Sequence, residues 1–238
     1  MHEAQKHERN GFLTLTLDDK HMPKDGGLDY REHMTPFWKR LRKRLGEKKI
    51  SHYSVGEYGE LTMRPHYHAV IFGEDFSEGR KWIRSGDMPL WTNRLLEESW
   101  GMGRVAVGQV NFETAMYTAG YVTKKLTGND GYVHLDDETG EITWLEQPRA
   151  HCSVRPGIGI RWIQDNGHYT YAHDHVIVNG KKQKPPKYYD KWLEKRSKIA
   201  IQMVKEVRQQ RAKELSPNEL HARAKVAHAR IRMKAKKL

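Results

Sequence analysis

Cysteine and long apolar segments are scarce in this sequence. Among its 238 residues Cys152 is the single cysteine, which excludes an internal disulfide and a zinc site built from several thiolates. No apolar run approaches the roughly 18 residues that a membrane-spanning helix needs, and the first residues lack the pattern of a secretory signal. We therefore expect a protein that works in a reducing compartment such as the cytoplasm.

Acidic residues are in the minority. Lys and Arg total 42 against 30 Asp and Glu, which gives a net charge of +12 and a pI of about 9.6. This excess favours a polyanionic partner, with nucleic acid as the first candidate and an anionic membrane surface as the second. The sequence also lacks the P-loop motif of nucleotide-binding proteins, so ATP-driven unwinding of a duplex would need a separate helicase.

Strand and helix patterns are interspersed along the first half of the chain. Period-two alternation predicts strands at residues 12–17, 50–55, 67–72 and 104–110. Helical periodicity predicts helices at residues 35–45, 92–100 and 111–126. We expect Thr35 and Asn111 to be the N-caps of the first and third of these helices.

The pattern changes beyond Gly128. Turn residues between short apolar runs predict one hairpin within residues 132–145 and a second at Asn179-Gly180. From about residue 188 the chain is helical and rich in charge, with a break at Ser216-Pro217. We predict an α+β fold with a central antiparallel sheet flanked by helices. Its parts are a core at residues 1–128, a hairpin-containing accessory part of the same domain at 129–187, and a basic helical tail at 188–238.

Two histidines in a predicted strand are the first candidate for chemistry. His66 and His68 are two residues apart, so their side chains point to the same face and can meet one metal ion. Glu57 on the neighbouring strand is the candidate oxygen ligand, with Glu60 in reserve. Such a set suits Mg²⁺ or Mn²⁺ and leaves positions open. Taken alone, a His-x-His pair is more often a core or surface feature.

Two tyrosines on a predicted helix are the second candidate. Tyr117 and Tyr121 are four residues apart and share one helical face. Because the tyrosine hydroxyl titrates near pH 10, it needs help to act as a nucleophile, and the charge of Lys124 could give it. The alternative is that a tyrosine packs in the core while Lys124 and Lys125 are ordinary cations at a helix end.

Phosphate contacts can be assigned only coarsely from the sequence. The candidates are basic residues near the predicted site and on the first helix, namely Arg42, Lys43, Arg44, Arg64 and Lys125. A second His-x-His pair, His173 and His175, has no evident carboxylate partner, and we interpret it as part of a surface loop.

Taken together, these segments resemble the HUH replication initiators, and in particular those of gokushoviruses, which are small single-stranded DNA phages of the microvirus family. The segments that carry the resemblance, together with the tyrosine helix, are HERNGFLTLTLDD, GEYGE, RPHYHAVIFG, LWTNRLLEESW, RPGIG and GKKQKPPKYYD. The resemblance covers about residues 1–190. It implies the HUH endonuclease fold, whose sheet is similar to those of RRM and ferredoxin-like domains.

The resemblance also implies an activity. Tyr117 and Tyr121 would nick single-stranded DNA at a viral origin through a 5′-phosphotyrosine, with Lys124 assisting and with a divalent metal on Glu57, His66 and His68. A host polymerase and a host helicase would be partners in the cytoplasm of the infected bacterium. We expect no membrane partner and a monomer or weak oligomer.

The sequence departs from the family in two places. Gly120 stands where related initiators carry a lysine, so we expect Tyr121 to attack first and Tyr117 second. A cysteine-containing segment that the resemblance implies does not precede the opening residues, and we expect an N-terminally shortened form. The alternatives are a non-catalytic nucleic-acid-binding module, a transposase or relaxase with the same chemistry, and a metal phosphoesterase that uses water.

Overall fold

The computed structural model describes residues 1–59, 62–127, 133–135, 140–212 and 216–235, without the side chains of residues 121–127, 134, 231, 232, 234 and 235. The chain forms two compact units. One comprises His7–Ile158, and the other comprises Met1–Lys6 together with Gly159–Leu238. In the part of the chain so described, no helix combines the length and the apolar character needed to traverse a bilayer.

The first unit is built on a seven-stranded sheet. Its strands and the shorter hairpin strands are β1 (Asn10–Thr16), β2 (Ser51–Tyr58), β3 (Pro65–Phe72), β4 (Lys81–Arg84), β5 (Leu90–Thr92), β6 (Val105–Gln109), β7 (Val133–Leu135), β8 (Ile142–Trp144) and β9 (Ala150–Cys152). The order in the sheet is β4-β5-β6-β1-β3-β2-β9, and its neighbouring strands pair antiparallel. Strands β7 and β8 form a separate hairpin.

Helices lie around this sheet. They are α1 (Met34–Leu45), α2 (Arg94–Trp100) and α3 (Phe112–Thr127). The predicted α+β class and the antiparallel sheet are thus confirmed. The predicted strands and helices of this unit are present with ends shifted by a few residues, whereas β4 and β9 were not predicted.

Strand alternation explains which face of the sheet is covered by which helix. Leu13 and Leu15 on β1 are fully buried in one cluster with Phe37 and Leu41 of α1. Tyr67 of β3 belongs to the same cluster, so its neighbours His66 and His68 point to the opposite face. Each such apolar side chain contributes about 1.5–3 kcal/mol on burial, which fixes the register of the strands.

The helix starts differ in one place from the prediction. Asn111 caps α3 as expected, since its Oδ1 accepts a hydrogen bond from the Thr114 amide at 2.8 Å. Thr35 does not cap α1; that prediction is wrong. Helix α1 starts one residue earlier, after His33, because the amides of His33 and Met34 donate to carbonyl groups of the preceding turn.

The second unit is helical apart from one hairpin. It contains α4 (Ile160–His173), the strands β10 (Val176–Val178) and β11 (Lys181–Gln183), α5 (Lys187–Arg196), α6 (Lys198–Arg211) and α7 (Pro217–Ala235). The predicted turn at Asn179-Gly180 is confirmed, with φ of 49° and 70° at its two residues. Ile163, Val176 and Tyr189 form the core of this unit.

Candidate active site

Three potential metal ligands meet on the face of the sheet opposite α1. Glu57 of β2 pairs directly with His66 of β3, and His68 lies two residues further along the same face. Glu57 Oε2 is 3.1 Å from Nε2 of His68 and 3.5 Å from Nε2 of His66. The candidate ligand atoms of all three residues lie within 4.8 Å of one another. The sequence prediction placed these three residues together, and the structure brings them together.

Neighbouring groups orient both imidazoles. Nδ1 of His66 lies 3.2 Å from the carbonyl oxygen of Arg64. A carbonyl can only accept a hydrogen bond, so Nδ1 is the donor and Nε2 presents its lone pair towards Glu57 when the ring is neutral. Nδ1 of His68 lies 3.2 Å from Oγ1 of Thr14 on β1, which pairs with His68 across the sheet. Contacts of this kind position the ligands of metal sites.

The electrostatics of the three residues also fit a cation. Burial works to lower the pKa of His66, but the hydrogen bond and charge of Glu57 outweigh it, and this pKa is raised. Burial lowers the pKa of His68 in spite of the same carboxylate. A neutral His68 beside a carboxylate leaves room for positive charge between them. Two imidazole nitrogens and a carboxylate oxygen form a donor set that accepts a divalent cation and leaves coordination positions open.

Tyr117 of α3 reaches this cluster. Its hydroxyl donates a hydrogen bond to Glu57 Oε2 at 3.3 Å. Its ring packs edge-on against His68, with ring centroids 5.1 Å apart, and against Phe12, with centroids 6.3 Å apart. The side chain is half-buried. A phenol oxygen is therefore held beside the candidate ligands by ring contacts with two neighbouring strands, β1 and β3.

Other candidate residues of the tyrosine helix lie outside the described side chains. The backbone of α3 continues through Tyr121, Lys124 and Lys125, and residue 121 is one helical turn beyond Tyr117. Positions of their side-chain atoms are not described, and Glu60 lies outside the described residues altogether.

The predicted phosphate-binding residues are not gathered at the cluster. The guanidinium of Arg64 donates to the carbonyl of Leu17 at 2.8 and 3.1 Å and pairs with Asp19 at 2.7 Å. Arg42 and Lys43 are exposed on α1, which packs against the other face of the sheet. Arg44 on the same helix pairs with Glu98 at 2.8 Å.

The second His-x-His pair has a different role from the first. His173 is the last residue of α4, not part of a loop, and Asp174 follows it as the helix C-cap. Both carboxylate oxygens of Asp174 accept hydrogen bonds from Arg208. Among the described residues, the search for metal-ligand clusters finds Glu57, His66 and His68 alone.

Thr14 is the site residue that the sequence prediction missed. The strand containing it was predicted, but its contact with His68 depends on the pairing of β1 with β3. The threonines that alternate with leucines in residues 12–17 were the available signal, because they face the same side of the sheet as the histidines.

Comparison with known proteins places the cluster in a matching region. A family described as "Replication-associated protein ORF2" matches residues 10–126, which include the three candidate ligands and both tyrosines. Similar proteins include Replication-associated protein VP4 of Bdellovibrio phage phiMH2K, 29% identical over 205 residues, which are 82% of this chain and 61% of the relative.

Two further relatives have similar identity. Replication-associated protein ORF2 of Spiroplasma virus 4 is 31% identical over 219 residues, or 87% of this chain and 65% of the relative. Replication-associated protein ORF4 of Chlamydia phage 1 is 29% identical over 201 residues, or 81% and 48%. The chain thus spans between 48% and 65% of the length of these relatives. No solved structure matches the chain.

Proposed function

Because this chain belongs to the family of phage replication-associated proteins, we propose that it initiates rolling-circle replication by nicking single-stranded DNA with a tyrosine. The observation that carries the proposal is the hydrogen bond of the Tyr117 hydroxyl to Glu57, a carboxylate that also faces His66 and His68. A nucleophile and a candidate cation site therefore share one carboxylate oxygen. Nicking by an activated tyrosine needs this proximity.

The chemistry is a transesterification. Glu57, His66 and His68 would hold Mg²⁺ or Mn²⁺, which when bound supplies Lewis-acid polarisation of the scissile phosphodiester. The tyrosine oxygen forms a bond to phosphorus, the bond from phosphorus to the 3′ oxygen breaks, and the phenol proton is balanced by protonation of the departing oxygen. The products are a 5′-phosphotyrosine and a free 3′-hydroxyl, which a host polymerase can extend.

Two tyrosines on one helix would serve nicking and rejoining. Residues 117 and 121 are one helical turn apart on α3, so their positions share a face. We propose that Tyr121 attacks first, with Lys124 assisting, and that Tyr117 cuts the regenerated origin. The released 3′-hydroxyl then attacks the first phosphotyrosine and closes a circle. Because the phosphotyrosine conserves the phosphodiester energy, joining needs no ATP, and unwinding falls to a host helicase in the cytoplasm of the infected bacterium.

A covalent adduct is the direct test. Purified protein is incubated with Mn²⁺ and end-labelled single-stranded DNA from the viral origin region, and the products are separated by denaturing electrophoresis. The parent chain should give a protein-linked band. Tyr117→Phe combined with Tyr121→Phe should abolish it, because phenylalanine keeps the ring packing and removes both nucleophiles.

Tyr169→Phe is the matched control, since this tyrosine is 54% exposed in the second unit. It should leave the band unchanged. If the parent chain binds the DNA but forms no adduct with Mn²⁺ or Mg²⁺, the protein is a binding module and the proposal fails. Cleavage without an adduct would instead indicate water as the nucleophile.

A further inference from the structure

Helix α7 is exposed along its whole described length. Every described side chain from Ser216 to Arg230, and Met233 beyond it, is exposed. A helix that buries no apolar face gains nothing from packing, so most of its stability must come from local interactions or from a partner. Ser216 and Glu219 do form a capping box at its start, with the Ser216 amide donating to Glu219 at 2.9 Å.

The charge of this helix is almost entirely positive. Residues 217–235 contain five Lys or Arg residues and Glu219 as the one acid. The described basic side chains are arranged on two faces. Arg223 and Arg230 are seven residues apart and share one side, whereas Lys225 lies on the opposite side with His221 and His228.

We propose that α7 inserts into the major groove of duplex DNA. A helix with its side chains is about 10–12 Å in diameter, and the major groove is about 12 Å wide, so opposite sides of an inserted helix approach the two phosphate backbones. Arg223 and Arg230 would contact one backbone and Lys225 the other. Between them lie small residues that let the helix axis come close to the groove floor; they are Ala222, Ala224, Ala227 and Ala229.

The same arrangement argues against a membrane surface. Helices that lie on bilayers have one broad apolar face and one polar face. In α7 the cations occupy two opposite sides, and Leu220 and Val226 lie on different sides between them. Binding to a duplex is independent of the nicking site in the other unit, which acts on a single strand.

The test compares duplex and single-stranded binding by the full chain. Fluorescence anisotropy measures Kd for a labelled DNA duplex about two helical turns long and for one of its strands, at several salt concentrations. The triple variant Arg223→Gln, Lys225→Gln, Arg230→Gln should bind the duplex about tenfold or more weakly, and its slope of log Kd against log salt should fall by about 2 to 3. Single-strand binding and adduct formation should hardly change.

The control removes three exposed cations from α5, with Lys187→Gln, Lys191→Gln and Lys195→Gln. Equal loss in the control would show an effect of net charge alone and would overturn the proposal. So would loss confined to Lys225→Gln or to the Arg223→Gln, Arg230→Gln pair, because a groove-bound helix needs both sides. Tighter binding to an RNA duplex or to anionic vesicles than to duplex DNA would assign the helix to another partner. Circular dichroism checks that helicity is kept, as expected for glutamine.

Discussion

At the scale of single residues, Thr14 is the contact that orients a candidate metal ligand. Its hydroxyl lies 3.2 Å from Nδ1 of His68, while Nε2 of the same ring faces Glu57. Glu57, His66 and His68 were predictable because adjacent strands with a short connection bring them together. Thr14 was not, since it is 54 residues from His68 and its register follows from the packing of the whole sheet.

Replacing Thr14 by valine should weaken metal binding while leaving the fold intact. The branched shape is kept, but the hydroxyl contact with His68 is lost, and we expect Mn²⁺ affinity to fall about tenfold. Titration of Mn²⁺ followed by electron paramagnetic resonance measures this directly. Thr16→Val on the same face of β1 is the control, because Thr16 bonds to the carbonyl of Arg104 instead. Equal affinities for the two variants would contradict a positioning role for Thr14.

At the scale of secondary structure, α4 shows why some elements escape prediction. Its buried positions are Ile163, Gly167 and Thr170, so two of the three lack the apolar character that helical periodicity detects. Gly167 is buried because the ring of Trp192 packs against it; a Cβ there would lie 2.3 Å from that ring. Strands β4 and β9 escaped for another reason, as all four residues of β4 are exposed and β9 has only three residues.

The junction of α4, α5 and α6 gives a prediction at this scale. Arg208 of α6 is 14% exposed and bonds to Asp174 and Asp190, which belong to the other two elements. Both carboxylates raise the pKa of Arg208, so it is charged at any working pH. Arg208→Met should cost about 3 kcal/mol because it leaves two partly buried carboxylates unpaired. Hydrogen exchange should then accelerate in α6 but not in β1. Arg211→Met, at an exposed position of α6, should change neither.

At the scale of the whole molecule, the buried histidines set the response to acid. His52 of β2 stacks on Trp38 at 3.9 Å, and burial, with smaller effects of Arg42 and His151, lowers its pKa to about 3. As pH falls below about 6.5, the unfolded chain takes up a proton that the folded chain excludes until about pH 3. The free energy of unfolding should therefore fall by about 1.4 kcal/mol per pH unit from this residue alone within that window.

Urea unfolding of the parent chain and of His52→Gln between pH 7 and pH 4, followed by tryptophan fluorescence, tests this. The variant should lose less stability per pH unit, whatever its stability at neutral pH. His168→Gln, at an exposed position, should retain the pH dependence of the parent. Parallel pH profiles for parent and His52→Gln would mean that His52 takes up its proton without unfolding.

The division into units was beyond sequence patterns for the same long-range reason that hid Thr14. Glu3 accepts a hydrogen bond from the Gly159 amide, 156 residues later, and His2 stacks on Trp162 at 3.7 Å. During translation these first residues leave the ribosome long before their partners exist. The unit that they complete can close only after nearly the whole chain has been made, so a product released early would expose an unpaired leading segment.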